Sequence, residues 1–256
     1  MITELVRYEV GGGVATVTLD SPHNRNALSA QLVDELSARL AEAAEDPAAR
    51  AVVLTHTGRV FCSGADLKAA GTGSTADSGA TLTALLTAIA ELPKPVIARI
   101  AGHVRAGGMG IVGACDLAVA SEGASFAFTE VRIGLAPAII SLTTLDIMDP
   151  RGAARYYLTG ETFGPEVAAE FGLITVAVSD GEIDSVVDGL VAQIRETSPQ
   201  GAAETKKLLT AARRERLAAR GPEMAALSAR LFASDEAQEG IHAFLERREP
   251  AWRAGQ

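Results

Sequence analysis

The stretch Pro95-Val96-Ile97-Ala98-Arg99-Ile100, followed by Gly107-Gly108-Met109-Gly110 and then Asp116-Leu117-Ala118-Val119-Ala120, reads as strand, glycine-opened helix and strand. Each strand is a short apolar run without alternation, the pattern of a strand buried on both faces. Upstream, Ala51-Val52-Val53-Leu54-Thr55 repeats this signature. Val14-Ala15-Thr16-Val17-Thr18-Leu19, between Gly11-Gly12-Gly13 and Asp20-Ser21-Pro22, reads as a hairpin strand that ends in a turn. Leu28, Leu32, Leu36 and Leu40 recur every four residues, with Glu35, Arg39 and Glu42 on other faces. That spacing predicts an amphipathic helix that stops near Asp46-Pro47. Strand and helix in alternation predict an α/β core with largely parallel pairing.

From about Pro150 the character changes. Ile183 to Arg195, Pro199 to Arg214, Pro222 to Phe232 and Asp235 to Arg248 read as four successive helices, because Ser-Pro, Gly-Pro and Ser-Asp pairs are start signals. The segment from Ala69 to Gly79 is small and polar, and reads either as a mobile lid or as a plain surface loop.

With 256 residues the chain is long enough to bury a sizeable core without disulfides or metal. Cys62 and Cys115 lie far apart in apolar contexts and read as buried small hydrophobes. A net charge of -9 argues against general affinity for nucleic acid or anionic membranes. Neither a basic leader nor an apolar run of bilayer-spanning length is read, so the expectation is a cytoplasmic protein without membrane partners.

Three pieces carry the chemistry. Phe61-Cys62-Ser63-Gly64-Ala65-Asp66-Leu67-Lys68 joins a buried strand to a loop, and its small residues let backbone N–H groups approach a ligand. Gly107-Gly108 opens a helix whose first N–H groups favour negative charge. Glu130 follows, set among Phe126, Phe128, Val131 and Ile133, neighbours that would desolvate its carboxyl and raise its pKa. Taken alone, a glycine pair ahead of a helix is more often close packing than a site.

In this order, these pieces resemble the enoyl-CoA hydratase/isomerase, or crotonase, family. The resemblance runs nearly end to end, through Asn24-Arg25-Asn26-Ala27-Leu28, Lys94-Pro95-Val96-Ile97-Ala98, Leu158-Thr159-Gly160, Ala168-Ala169-Glu170-Phe171-Gly172-Leu173-Ile174 and Glu239-Gly240-Ile241-His242-Ala243-Phe244. It implies a spiral of ββα units over residues 1–195 that carries an acyl-CoA site. Residues 196–256 would form a helical region that covers the site and assembles a homotrimer or hexamer. It further implies that the N–H groups of Ala65 and Gly107 form an oxyanion hole for a thioester carbonyl and that Glu130 is the acid/base. Arg25, Ala27, Ala65, Asp66, Leu67, Lys68, Gly107 and Gly108 would line the substrate, and Arg25 and Lys68 read equally as surface charge. Neither a metal nor a cofactor is implied, coenzyme A being part of the substrate.

The chain departs from the pattern in places. Usual hydratases carry two glutamates, and the first falls here on Gly110. A single carboxylate more simply shuttles a proton between carbons, which is isomerisation. Against that, Met109 to Asp116 also resembles branched-chain and methylglutaconyl-type hydratases. The reading adopted is 2-enoyl-CoA hydratase, with Δ-isomerase the runner-up and an acyl-CoA-binding relative of little turnover the third. Arg105 replaces an aliphatic residue and is expected to pair with a nearby acid, the other reading being recognition of an acidic acyl group. Pro137-Ala138-Ile139-Ile140-Ser141 replaces a glycine-rich stretch and alters the acyl-pocket wall. His103 reads mainly as structural, Asp146 and Asp149 as capping or solvent-exposed, and Asp116 as structural.

Overall fold

The computed structural model of the chain describes residues 3–67 and 75–253. In order run β1 (Val6–Gly11), β2 (Val14–Leu19), α1 (Ala30–Glu45), β3 (Ala51–His56), β4 (Val60–Cys62), α2 (Thr75–Glu91), β5 (Val96–Ile100), β6 (His103–Arg105) and α3 (Gly107–Ala114). Then follow β7 (Leu117–Ser121), β8 (Ser125–Ala127), α4 (Ser141–Thr144), α5 (Pro150–Thr159), α6 (Pro165–Glu170), β9 (Val176–Val178), α7 (Ile183–Glu196), α8 (Pro199–Phe232) and α9 (Asp235–Glu246).

The main sheet has six strands in the order β1-β2-β3-β5-β7-β9, and a smaller sheet has the order β4-β6-β8. Among the paired strands of the described residues the β1–β2 hairpin is antiparallel and the other pairs are parallel. The apolar runs explain this pairing. Val52, Leu54, Val96, Ala98 and Ile100 enter the larger core on one face of the sheet, while Val53, Ile97 and Val119 meet Ile183, Val187 and Val191 of α7 on the other. Strands covered on both faces need no polar alternation.

Helix α1 buries Leu32, Leu36 and Leu40, as the four-residue spacing predicts, and Ser29 caps it by accepting from the Leu32 N–H. Two local readings are corrected. The expected helices Pro199–Arg214 and Pro222–Phe232 are one helix, α8, with Pro222 inside it. Its buried positions Lys206, Thr210, Arg213, Leu217, Gly221 and Met224 form one continuous stripe across the proline, so packing outweighs the lost hydrogen bond of an internal proline. The expected 69–79 loop is helical from Thr75 on; Gly79 packs so closely on Ala225 of α8 that a Cβ there would lie 3.2 Å from the Ala225 Cβ. Residues 69–74 lie outside the described ones.

Helix α8 is anchored by buried charge. Lys206 Nζ donates to Ile89 O (3.0 Å) and Lys94 O (3.1 Å) and pairs with Asp116 Oδ2 at 2.7 Å, which makes Asp116 structural, as expected. Asp149 caps α5 by accepting from Arg151 N and Gly152 N, and Asp146, an exposed residue as expected, turns its carboxylate inward. It pairs with Arg213 (3.1 Å) and Arg216 (3.3 Å) of α8, a partnership that proximity to Pro150 does not reveal.

Asn26 ties the β2–α1 loop to the sheet. Fully buried, it accepts from Ser21 N at 2.7 Å and donates to Val60 O at 2.7 Å and Thr57 O at 3.2 Å. Its φ of +51° is one that asparagine tolerates better than most residues. Asn26→Ala is expected to destabilise the protein by about 2–3 kcal/mol, since it leaves the buried Ser21 N–H and two partly buried carbonyls without this partner. Denaturant unfolding reads this directly, and a loss below ~0.5 kcal/mol would contradict it.

Candidate active site

Two backbone segments meet at the start of α3, and a third, beyond β8, carries Glu130. The first leaves β4 through Ser63 and Gly64. Gly64 has φ +86°, and its carbonyl accepts from Leu28 N at 2.8 Å. Leu28 and Ala65 form a parallel bridge. Because Leu28 bonds through its own groups to the residues flanking Ala65, the Ala65 N–H is left outside the ladder.

The second segment turns from β6 into α3. Ala106 sits at φ +47°, ψ −120°, unusual for a residue with a side chain. Its N–H donates to Ala127 O of β8 at 3.2 Å. Gly107 is the first helical residue, whose N–H has no carbonyl of its own helix to bond. A Cβ built on Gly64 would lie 3.3 Å from Gly107 N and 2.6 Å from Ala106 Cβ. The Ala65 and Gly107 donors therefore come from adjoining backbone segments. A Cβ on Gly107 would meet Leu28 Cδ1 at 2.7 Å and Leu82 Cδ2 at 3.8 Å, so apolar side chains border the opening.

The third segment carries Glu130. Beyond β8 the chain enters a 3-10 turn, Thr129–Ile133, closed by Gly134 at φ +75° with its N–H on Glu130 O. Helix α9 backs the turn so closely that a Cβ on Gly240 would stand 2.6 Å from Ile133 C and O. Glu130 Oε2 is buried and has no hydrogen-bond partner among the described residues. Burial raises its pKa from 4.5 to about 7, against a smaller opposing pull from a backbone N–H. The expected neighbours Phe126 and Phe128 are fully buried, Val131 and Ile133 partly so.

At Gly110 a Cβ would lie 2.6 Å from Ile140 Cγ2. The space that a glutamate would need at this position is filled from the Pro137–Ser141 segment. Gly110 carries no side chain, and Ile140 packs over it.

The remaining positions are more dispersed. Arg25 is exposed at φ +61°, Ala27 is buried, Asp66 and Leu67 are half-buried, and Lys68 lies outside the described residues. Gly108 is buried against Cys62. The expected acid partner of Arg105 is not found among the described residues. Its guanidinium donates instead to Val104 O (2.8 Å), Ser125 O (2.7 Å) and Ser125 Oγ (2.8 Å), because the β6–β8 pairing brings those acceptors within reach. His103 hydrogen-bonds Ser125 Oγ through Nδ1 at 2.9 Å, and desolvation, with Arg105 and Arg59 nearby, lowers its pKa. Sequence reasoning missed Leu82, and also Tyr157, whose ring lies 4.2 Å from that of Phe128 and whose hydroxyl bonds Thr144 Oγ1. A helix between residues 75 and 91 was legible only from its Leu82, Leu85, Leu86 and Ile89 spacing.

A family model described as enoyl-CoA hydratase/isomerase matches residues 9–255. The chain belongs to the enoyl-CoA hydratase/isomerase family. Among solved structures, this family member is similar to an enoyl-CoA hydratase from Mycobacterium avium, at 53% identity and TM-score 0.91, over 98% of this chain and 100% of that one. It is 30% identical to the enoyl-CoA hydratase domain-containing protein 3, mitochondrial, of Danio rerio, over 98% of this chain and 88% of the relative. It is also 32% identical to a carnitinyl-CoA dehydratase from Proteus mirabilis, over 94% and 95% of the two chains. The α/β architecture with its long C-terminal helix is the crotonase fold of these enoyl-CoA hydratase/isomerase structures. No helix among the described residues is long and apolar enough to cross a membrane.

Proposed function

We propose that the protein adds water across the double bond of a 2-enoyl-CoA thioester, with Glu130 as the proton carrier and the Ala65 and Gly107 N–H groups as the oxyanion hole. The observation that carries this reading is the buried, unpartnered Glu130 Oε2 with a pKa of about 7. A carboxyl poised near neutrality serves as base and then as acid at the same pH.

The thioester carbonyl oxygen accepts from both N–H groups, which draw electron density from the conjugated double bond. Ionised Glu130 takes a proton from water as the water oxygen bonds to C3. The π electrons move onto C2 and the carbonyl oxygen, giving an enolate that the two fixed donors stabilise. Protonated Glu130 then returns the proton to C2, so one carboxylate performs both transfers. The enoyl-CoA hydratase and dehydratase names among the relatives support this direction of chemistry. Binding of coenzyme A along Ala65 to Lys68 with Arg25 nearby, assembly as a trimer or hexamer through residues 196–256, a cytoplasmic setting and independence of any cofactor belong to the same proposal.

A second reading has its own support. With Ile140 over Gly110, position 110 offers no carboxylate to hold water, and Glu130 alone suits transfer of a proton between C4 and C2, which is Δ-isomerisation. Absorbance of the conjugated thioester separates the two. Loss of conjugation from a short 2-enoyl-CoA, with a hydroxyacyl product by mass, is the expected result. Gain of conjugation from a 3-enoyl-CoA with no mass change would make the protein an isomerase. Silence with both would point to a different acyl substrate or to a binding-only relative.

A further inference from the structure

We propose that Cys62 is a positioning residue for the oxyanion hole: its side chain is wedged between the two segments that carry the donors and sets their separation. The inference rests on the reading of Ala65 and Gly107 given above. Cys62 ends β4 and is fully buried. Its Sγ accepts from Gly64 N at 3.4 Å, while the carbonyl of Gly64 accepts from Leu28 N at 2.8 Å. The peptide that bears the Ala65 N–H is therefore held at its carbonyl by Leu28, and the peptide before it by the sulfur.

On its other side, Cys62 supports the start of α3. A Cβ on Gly108 would lie 2.8 Å from Cys62 Cβ, 3.1 Å from Cys62 O and 3.2 Å from Sγ. Helix α3 thus rests on this residue with no space between, one residue after the Gly107 donor. A larger side chain pushes α3 away from the Gly64 turn, and a smaller one lets the two relax together. Either change moves one N–H relative to the other, and misplacement of reacting groups by about 1 Å costs on the order of a hundredfold.

The thiol suits this position chemically. It is a compact apolar group with a weak acceptor, so it packs against the glycines while satisfying one buried N–H. Burial pushes its pKa up to about 12, so the sulfur stays neutral at physiological pH. A neutral sulfur adds no charge to oppose the anion that develops on the carbonyl oxygen.

The test uses Cys62→Ala, Cys62→Val and Cys62→Ser with a 4-dimethylaminocinnamoyl-CoA probe, whose absorption moves to the red when its carbonyl is polarised. Cys62→Ala and Cys62→Val are expected to lose about tenfold to a hundredfold in kcat with KM changed less than about threefold, and to show a smaller red shift of the bound probe. Cys62→Ser, which keeps an acceptor, should retain more of both. Folded variants with wild-type kcat and wild-type red shift would overturn the proposal, even if their melting temperature fell. Absence of a red shift in the wild-type protein would instead overturn the oxyanion-hole reading on which it depends.

Discussion

Glu130→Gln is expected to lower turnover of the enoyl thioester by about a hundredfold to ten-thousandfold while leaving affinity for the acyl-CoA nearly unchanged. Glutamine keeps the shape of the side chain in its half-buried turn and removes only its ability to carry a proton. The wild-type kcat/KM for hydration is expected to rise with pH through about 7 and then level off, because the ionised carboxylate is the base. In Glu130→Gln this inflection should vanish. An unchanged rate in the variant would remove Glu130 from the mechanism.

The same substitution has an opposite effect on stability. An unfolded glutamate ionises near 4.5 and the folded Glu130 at about 7, so between these values the folded state binds more proton. Stability contributed by this residue therefore falls as pH rises through that window. Glu130→Gln is expected to be more stable than wild type at pH 8, by up to about 3 kcal/mol, and to show no gain at pH 4. Denaturant melts at the two pH values test the sign, and equal stabilities at pH 8 would refute the buried, unpartnered carboxylate.

Gly64→Ala should be nearly as damaging to turnover through a different cause. The added Cβ would stand 2.6 Å from Ala106 Cβ and 3.3 Å from Gly107 N, at a backbone φ of +86° that side chains avoid. Both segments that bear the donors must shift. A loss of about a hundredfold to a thousandfold in kcat is expected, with a stability loss of about 1–3 kcal/mol. Gly11→Ala is the matched control, since a Cβ there meets nothing within 4 Å. Wild-type kcat in folded Gly64→Ala would separate this turn from the chemistry.

The parts of the fold that were legible in the sequence are those where one physical requirement dominates. Strands β3, β5 and β7 are read correctly because burial on both faces leaves only apolar residues, and α1 because its leucines keep helical spacing. The glycine turns and Glu130 are likewise visible as residue types in order. What was not legible depends on partners distant in the chain. Pro222 is a helix breaker until the long stripe on α8 holds it in line. Arg105 looks like half an ion pair until the small sheet sets carbonyls around it. The contact of Ile140 with Gly110 leaves no local trace, since thirty residues separate them and only the folded backbone brings them together.

The anchoring of α8 has a consequence for how the chain is made. The carbonyl of Ile89 and the carboxylate of Asp116 obtain their buried cation from Lys206, which lies 117 residues after Ile89. During synthesis, at about 5–20 residues per second, those acceptors wait several seconds for their partner to leave the ribosome. Until then the face of α2 that α8 covers stays open, and a nascent chain arrested before residue 206 presents this face to chaperones and proteases. Emergence of α8 is therefore the event that covers this face of α2 and supplies its buried acceptors with their cation.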